Sequence, residues 1–182
     1  ALNATMEMVI QAEESHDVQY QATDMLTGKM CPELGGSKDL IDYMGFNFYY
    51  NNQWVASDFS GLPWANNDPD PRWRGLSSLF VEAYHRYGLP IVLAETSHPG
   101  EHRPNWIELI TRECVKALQY GVPLKGICLY PIIDRPDWDH LHYWHHSGLW
   151  DADAENPFSR ILYQPYADAI SAAMKVLNIK ST

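Results

Sequence analysis

A single carboxylate directly follows a short apolar run near the middle of the chain. Residues 91–94 are Ile-Val-Leu-Ala, a continuous hydrophobic stretch typical of a parallel strand that is covered on both faces, and Glu95 comes next. In α/β proteins, catalytic groups lie where strands end and loops begin. Glu95 is therefore a candidate catalytic residue, although a surface acid or a helix-capping group would fit the same position.

Two further strands are predicted, over residues 40–50 and 124–133, and polar and aromatic side chains lie at the end of each. The carboxyl ends of barrel strands converge on one mouth. A carboxylate surrounded by phenol, amide and indole groups suits sugar cleavage: the carboxylate attacks the anomeric carbon, polar groups hold the hydroxyls, and aromatic rings stack on the sugar face. Asp134 is equally a candidate anchor for its loop, and the aromatic residues could instead pack in the core. The candidate substrate-binding residues are Tyr49, Tyr50, Asn52, Gln53, Trp54, Tyr130, Asp134 and Trp138.

Helices are predicted between and after these strands. The pattern indicates an amphipathic helix over residues 76–87 that ends at Gly88, and a helix that has Asn105 as its N-cap and ends near residue 120. A last helix is predicted over residues 165–177, with a proline near its start. Residues 51–74 form a long loop that contains three tryptophans, and loops of that length are usually functional or disordered.

Strands that alternate with helices imply parallel βαβ units, so the predicted fold class is α/β. Three strands are clear, and residues 6–12 fit either a fourth strand or part of a helix, whereas residues 18–30 have a helical pattern. This is about half of a TIM (β/α)8 barrel, which typically needs about 250 residues. We expect one domain over residues 1–182 that is incomplete relative to the full barrel. A second copy of the chain or a missing N-terminal half would cover its two exposed sheet edges.

Composition excludes several kinds of partner. The net charge of −10 argues against nucleic acid, and no apolar run reaches the length of a membrane span. The three cysteines lack metal-type spacing, so we expect reduced, buried thiols in a cytoplasmic protein. The His-rich run 137–146 lacks the spacing of strong zinc motifs, so we interpret it as a substrate loop and predict neither metal nor cofactor. His98 and His102 belong either to the rim of the site or to a solvated loop.

The three strand ends resemble those of a known family. The runs DYMGFNFYYNNQW, GLPIVLAETS and GICLYPIIDRPDW with the later GLWD are similar to the sixth, seventh and eighth strand regions of family 1 glycoside hydrolases, which include β-glucosidases. The resemblance implies that Glu95 is the nucleophile, in an Ala-Glu-Thr-Ser context where the family usually has Thr-Glu-Asn-Gly. It also implies that Tyr49 or Tyr50 hydrogen-bonds the nucleophile and that Trp138 binds sugar. Tyr130 precedes a proline where the wider superfamily often has a cis peptide.

The resemblance also indicates what this chain lacks. The family's acid/base glutamate belongs to an Asn-Glu-Pro motif at the end of the fourth strand, and that motif does not occur here, as if the chain began after it. Retaining hydrolysis needs two carboxyl groups about 5–5.5 Å apart. We therefore expect the full-length protein to be a retaining β-glycosidase acting on a carbohydrate, and this chain alone to be weakly active or inactive. The alternative is a non-catalytic carbohydrate-binding or scaffold protein that keeps the half-barrel.

Overall fold

The computed structural model describes residues 5–55, 58–65, 70–153, 156 and 158–177. The chain divides into two compact units, residues 1–43 and residues 44–182. A single domain over residues 1–182 stays a prediction.

The first unit is helical. It contains α1 (Met6–Val18), α2 (Gln21–Leu26) and two short 3-10 turns, Pro32–Leu34 and Lys38–Leu40. The Thr5 hydroxyl caps α1, because it accepts the backbone N–H of Met8 at 3.2 Å. Residues 6–12 are therefore helical, so the alternative of a further strand in this region is wrong. The helix predicted over residues 18–30 is shorter than expected, since Gly28, with φ of 74°, turns the chain after α2.

The second unit contains two sheets and three helices in the part of the chain that the structure describes. Its elements are β1 (Met44–Asn47), α3 (Leu76–Tyr87), β2 (Ile91–Thr96), α4 (Arg103–Gln119), β3 (Leu124–Leu129), β4 (Trp150–Ala152), β5 (Arg160–Leu162) and α5 (Gln164–Val176). The main sheet is parallel with the order β1-β2-β3, which confirms the predicted parallel strands alternating with helices. The antiparallel pair β4-β5 was not predicted.

The end of α3 was predicted correctly from the sequence, and the start of α4 was not. Helix α3 ends at Gly88 as predicted, and this glycine has a left-handed φ of 66°. Helix α4 begins at Arg103, so the prediction of Asn105 as its N-cap is wrong. Pro104 lies in the first turn of α4, where its missing N–H costs no helical hydrogen bond. The proline therefore marks the start of this helix better than the asparagine does.

Both outer strands of the main sheet are shorter than predicted. The predicted first strand, residues 40–50, is reduced to β1 because a 3-10 turn comes before it and a turn follows, in which the Asn52 N–H donates to the Tyr49 carbonyl. Strand β3 ends just before the Tyr130–Pro131 bond, which is cis. Pro131 has no N–H to offer a neighbouring strand.

The core of the second unit lies between the main sheet and its helices. Ile91 and Leu93 of β2 are fully buried and belong to one cluster with Phe80, Trp106, Ile110 and Tyr166. The indole Nε1 of Trp106 donates to the hydroxyl of Thr96 at 2.8 Å, and both residues are fully buried. The residue next to Glu95 is therefore fastened to α4, which limits the freedom of the strand end.

A buried carboxylate joins α3 to α4. Glu113 accepts hydrogen bonds from the Ser77 N–H at 3.0 Å, the Ser77 hydroxyl at 2.6 Å and Lys116 Nζ at 2.7 Å. Burial alone raises the pKa of this carboxyl, but the hydrogen bonds from Lys116 and Ser77 outweigh it and hold the pKa below its usual value. A Cβ at Gly75 would overlap the carboxylate, so the glycine allows this close approach. Glu113 thus satisfies a backbone donor at the N-terminus of α3.

The cysteines do not share one environment. Cys114 is buried, Cys31 is half-buried and Cys128 is exposed, so the expectation of buried thiols is correct for Cys114 and wrong for Cys128. Burial raises the pKa of the Cys114 thiol to about 12, which keeps it protonated. In the described residues, no helix has the length and apolar character needed to span a membrane. A cytoplasmic location stays a prediction.

Candidate functional site

Glu95 and Tyr49 form a hydrogen-bonded pair at the carboxyl ends of β2 and β1. The Tyr49 hydroxyl donates to Oε2 of Glu95 at 2.7 Å, and both side chains are half-buried. The pairing of β1 with β2 shifts register near its end, and the Phe48 N–H donates to the Glu95 carbonyl at 2.9 Å. Burial and the hydrogen bond to Glu95 raise the pKa of Tyr49 well above its usual value. Tyr49 therefore keeps its proton and stays a donor to the carboxylate at neutral pH.

A cavity of about 240 Å³, which we call the Tyr49 cavity, is lined by Tyr49 but not by Glu95. Three of the predicted substrate-binding residues, Tyr49, Tyr50 and Tyr130, line it. The other lining residues are Asn51, Ser97, Pro99, Pro131, Arg135, His145 and Ser147. Segments after β1, β2 and β3 all contribute, so the three strand ends meet at one place. A concave site with hydroxyl and aromatic groups is suited to hold a polar ring-shaped ligand.

The amide and indole residues predicted after β1 lie elsewhere. Asn52, Gln53 and Trp54 line a second cavity of about 420 Å³ that shares no lining residue with the Tyr49 cavity. Gln53 donates to the Arg74 carbonyl at 2.7 Å and accepts the Arg74 N–H at 2.8 Å, so its amide is used to fasten the loop. The Asn52 side chain accepts the backbone N–H of Tyr49. Asn52 thus positions Tyr49, and sugar contacts by these three residues stay predictions.

Asp134 and Trp138 have different environments. Asp134 is 4% exposed, and its carboxylate accepts the backbone N–H groups of His146 at 3.2 Å and Ser147 at 3.1 Å. These contacts fit the anchoring role that the sequence left open for Asp134. Trp138 is 74% exposed, and the guanidinium of Arg135 lies 4.7 Å from its ring. An exposed indole beside the cavity-lining Arg135 remains available for stacking on a ligand.

Arg103 holds together the segment after β3. Its side chain is 3% exposed, with Nη1 2.8 Å and Nη2 3.2 Å from the two carboxylate oxygens of Asp151. It also donates to the carbonyls of Gly100 at 2.8 Å and Gly148 at 2.7 Å, and lies 3.7 Å above the Tyr163 ring. Gly148 is next to Ser147 of the cavity. Arg103 therefore connects the start of α4 to the loop that forms one wall of the site.

Three side chains next to Arg103 form a group of the kind that can hold a cation. Ligand atoms of Asp134, His146 and Asp151 lie within 4.8 Å of one another. However, Asp151 already receives the guanidinium of Arg103, and Asp134 already accepts two backbone N–H groups. A guanidinium next to the cluster supplies the positive charge that a metal would bring. The contacts therefore favour a structural role for these groups.

His98 is buried, in contrast to the alternative of a solvated loop. It is 7% exposed, and its ring lies 4.4 Å from that of Tyr50 and 5.0 Å from that of Trp64, measured between centroids. Its Nε2 accepts the indole N–H of Trp64 at 3.1 Å, and its Nδ1 lies 2.8 Å from the Pro99 carbonyl. Because a carbonyl can only accept, Nδ1 carries a proton, and because Nε2 accepts a hydrogen bond, Nε2 carries none. The His98 ring is therefore neutral. Neutral His98 thereby holds Tyr50 at the cavity.

We expect His98 to make the stability of the protein depend on pH. Burial lowers the pKa of His98 below its usual value of about 6.5. The unfolded chain then binds a proton more readily, so this contribution is complete above about pH 6.5 and falls as the pH drops through the lower folded-state pKa. Each unit by which the pKa is lowered corresponds to about 1.4 kcal/mol. Urea unfolding between pH 8 and pH 5 measures the effect.

The matched control for this titration is His98→Gln, which can still accept the Trp64 N–H but does not titrate. Other titrating groups cancel when the unfolding free energies of wild type and variant are subtracted, so the difference reports on His98. This difference should narrow as the pH falls, because the wild type loses the contribution of His98 and the variant does not. A difference that stays constant over this pH range would contradict a buried, neutral His98.

The cavity also contains residues that were not named individually as binding residues from the sequence. Ser97, Arg135, His145 and Ser147 line it but were not among the predicted site residues. Arg135 directly follows Asp134 at a predicted strand end, so its position was a usable signal. His145 lies in the run 137–146 that was interpreted as a substrate loop, whereas no local pattern marks Ser147, whose backbone N–H is held by Asp134.

Comparison with known proteins identifies the fold. No family model matches the chain, and no curated protein matches it. Among solved structures, it is similar to the hyperthermophilic β-glucosidase from Pyrococcus furiosus, with 18% identity over 94% of this chain and 39% of that one, and a TM-score of 0.64. It is also similar to the family 1 β-glucosidase from Thermotoga maritima, with 16% identity over 76% of this chain and 35% of that one, and a TM-score of 0.53.

The same Thermotoga maritima enzyme in complex with glucoimidazole gives a TM-score of 0.52 at 18% identity, over 72% of this chain and 34% of that one. The chain thus spans roughly two fifths or less of the length of these structures. It has a β-glucosidase-like fold and corresponds to part of a TIM barrel, as the strand pattern predicted.

Proposed function

We propose that this chain is the carboxyl-terminal part of a retaining β-glycosidase in which Glu95 is the nucleophile. The observation that carries the proposal is the Tyr49–Glu95 hydrogen bond at the carboxyl end of a parallel sheet. Tyr49 donates to Oε2, which orients the carboxylate and leaves Oε1 as the attacking atom. The β-glucosidase-like fold supports the assignment, since barrels carry their active sites at this end of the strands.

In the proposed reaction, a Glu95 oxygen forms a bond to the anomeric carbon and the bond from that carbon to the leaving-group oxygen breaks. The electron pair stays on the leaving group, which takes a proton from an acid. Glu95 is linked to the Tyr49 cavity through its hydrogen bond with Tyr49, and among the described residues no Asp or Glu is itself a lining residue. The acid/base group is assigned to the N-terminal part of the barrel, outside this chain, because the Asn-Glu-Pro motif does not occur in the sequence. Water then hydrolyses the glycosyl ester, and no cofactor takes part.

The second candidate is a non-catalytic protein that binds carbohydrate. The same lack of a lining carboxylate among the described residues favours it for this chain in isolation. Under either proposal the partner is a carbohydrate. The edges of the main sheet would be covered by the rest of the barrel or by a second copy of the chain.

Trapping of the glycosyl group distinguishes the two candidates. The probe is a 2,4-dinitrophenyl 2-deoxy-2-fluoro-β-glucoside, whose weakly basic leaving group departs without a proton. The fluorine slows hydrolysis of the ester because it destabilises the oxocarbenium-like transition state. We expect intact mass spectrometry to show one added fluoroglucosyl group, and peptide mapping to place it on Glu95. A folded protein that binds glucose but forms no adduct would favour the binding protein.

A further inference from the structure

Arg135 lines the Tyr49 cavity and has an unusual set of partners. Its Nη1 donates to the carbonyl of the next residue, Pro136, at 2.7 Å, and its Nε is buried without a hydrogen-bond partner. A guanidinium has five N–H donors. Thus one of the five is matched by a protein acceptor among the described residues. A buried donor without an acceptor is costly, so it needs an explanation, and a ligand that supplies the acceptor is one.

Other arginines of this acidic protein show the usual arrangement. Within the described part of the chain, ion pairs of 2.7–2.8 Å join Arg72 to Asp70, Arg74 to Glu82 and Arg103 to Asp151. Arg135 instead lies between aromatic rings, 4.7 Å from the centroid of Trp138 and 5.6 Å from that of Tyr130. The rings hold the guanidinium in place without neutralising it. Its charge faces a cavity that is large enough for part of a sugar.

We propose that Arg135 recognises an anionic group of the substrate, so that the sugar bound in the Tyr49 cavity carries a carboxylate or a phosphate. This inference rests on the proposed glycosidase function and narrows its substrate class. A guanidinium forms paired, charge-assisted hydrogen bonds with both kinds of anion. Arg135 is then a specificity-determining residue. Glu95, one strand away, supplies the nucleophile.

Equilibrium binding tests the inference without requiring turnover. The probes are glucose, glucuronate and glucose 6-phosphate, each titrated into the full chain and followed by calorimetry or NMR. We expect one of the two anionic sugars to bind about 10- to 100-fold more tightly than glucose. This is the gain in affinity that a charge-assisted hydrogen bond to the anionic group would give. Tighter binding of glucuronate would identify a carboxylate as the recognised group, and tighter binding of glucose 6-phosphate a phosphate.

Two variants assign the preference to Arg135. Arg135→Gln should remove it, whereas Arg135→Lys should keep part of it because the charge is retained. Arg112→Gln is the matched control, since it changes net charge equally at an exposed position of α4. Thermal unfolding of each variant checks that it is folded. Equal binding of glucose and the anionic sugars, or a preference that survives Arg135→Gln, would overturn the inference.

The outcome is separable from that of the glycosyl trap. An adduct on Glu95 together with no anion preference would keep the glycosidase and reject the role of Arg135. An Arg135-dependent anion preference without an adduct would reject the glycosidase and leave a protein that binds acidic sugars.

Discussion

Glu95→Gln is expected to lower the release of dinitrophenolate from an aryl β-glycoside by about a thousandfold or more, as loss of a nucleophile does in other enzymes. The amide can still accept a hydrogen bond from Tyr49 but cannot form the glycosyl ester. The assay is a single-turnover burst of the coloured phenolate from dinitrophenyl β-glucoside and β-glucuronide. A burst is suitable because formation of the glycosyl ester needs no acid when dinitrophenolate is the leaving group. Hydrolysis of that ester needs the acid/base carboxyl group, which we assign to the rest of the barrel.

A smaller side chain adds a positive readout. In Glu95→Gly, azide can enter the vacated space, form a bond to the anomeric carbon and displace the phenolate, which yields the α-glycosyl azide. Glu101→Gln, at an exposed position six residues away, is the matched control and should behave like wild type. An unchanged burst in Glu95→Gln, or a β-glycosyl azide from the Gly variant, would show that Glu95 is not the nucleophile.

Arg103→Met is expected to destabilise the protein by about 3–5 kcal/mol, because it leaves a partly buried carboxylate and two carbonyls without their donor. Asp151 is 19% exposed, and the Gly100 and Gly148 carbonyls lie close to Arg103. Methionine keeps much of the apolar stem. Urea unfolding at neutral pH measures the loss. Because the loop after β3 forms a wall of the cavity, the same variant should weaken sugar binding.

Arg112→Met provides the comparison for this prediction, since Arg112 is exposed on the same helix and should change stability by less than about 0.5 kcal/mol. The double variant Arg103→Met, Asp151→Met should recover part of the loss, because it removes both partners of the pair. A loss below about 1 kcal/mol in Arg103→Met would mean that the pair contributes no more than a surface ion pair.

The elements with continuous local patterns were the ones that the sequence predicted well. Strand β2 begins with the apolar run 91–94, and α3 has an amphipathic pattern closed by a glycine, so propensity and burial agree there. Residues 6–12 have mixed polar and apolar side chains that fit both the period of a helix and the period of a strand. None of the residues of α1 is buried. Burial therefore does not show which of the two periods this segment follows.

The site was predictable as a region but not in its details. Parallel strands bring their carboxyl ends together, so the proximity of Tyr49, Glu95 and Tyr130 followed from topology. Gln53 is directed away from that cavity because its amide finds both backbone groups of Arg74, a residue 21 positions later. Sequence patterns do not show which distant backbone group an amide will meet. The burial of Arg103 depends in the same way on a long-range carboxylate.

The open edges of the main sheet constrain the symmetry of any assembly that covers them. Among the described residues, β1 and β3 each have β2 as their one neighbour in the sheet. Two copies related by an axis along the strands would pair β3 with β1 in parallel, and would place both Glu95 side chains at the same mouth. Two copies related by an axis perpendicular to the strands would pair like edges antiparallel and direct the two mouths to opposite ends. The rotation axis of a dimer would therefore determine whether two carboxylates share one opening.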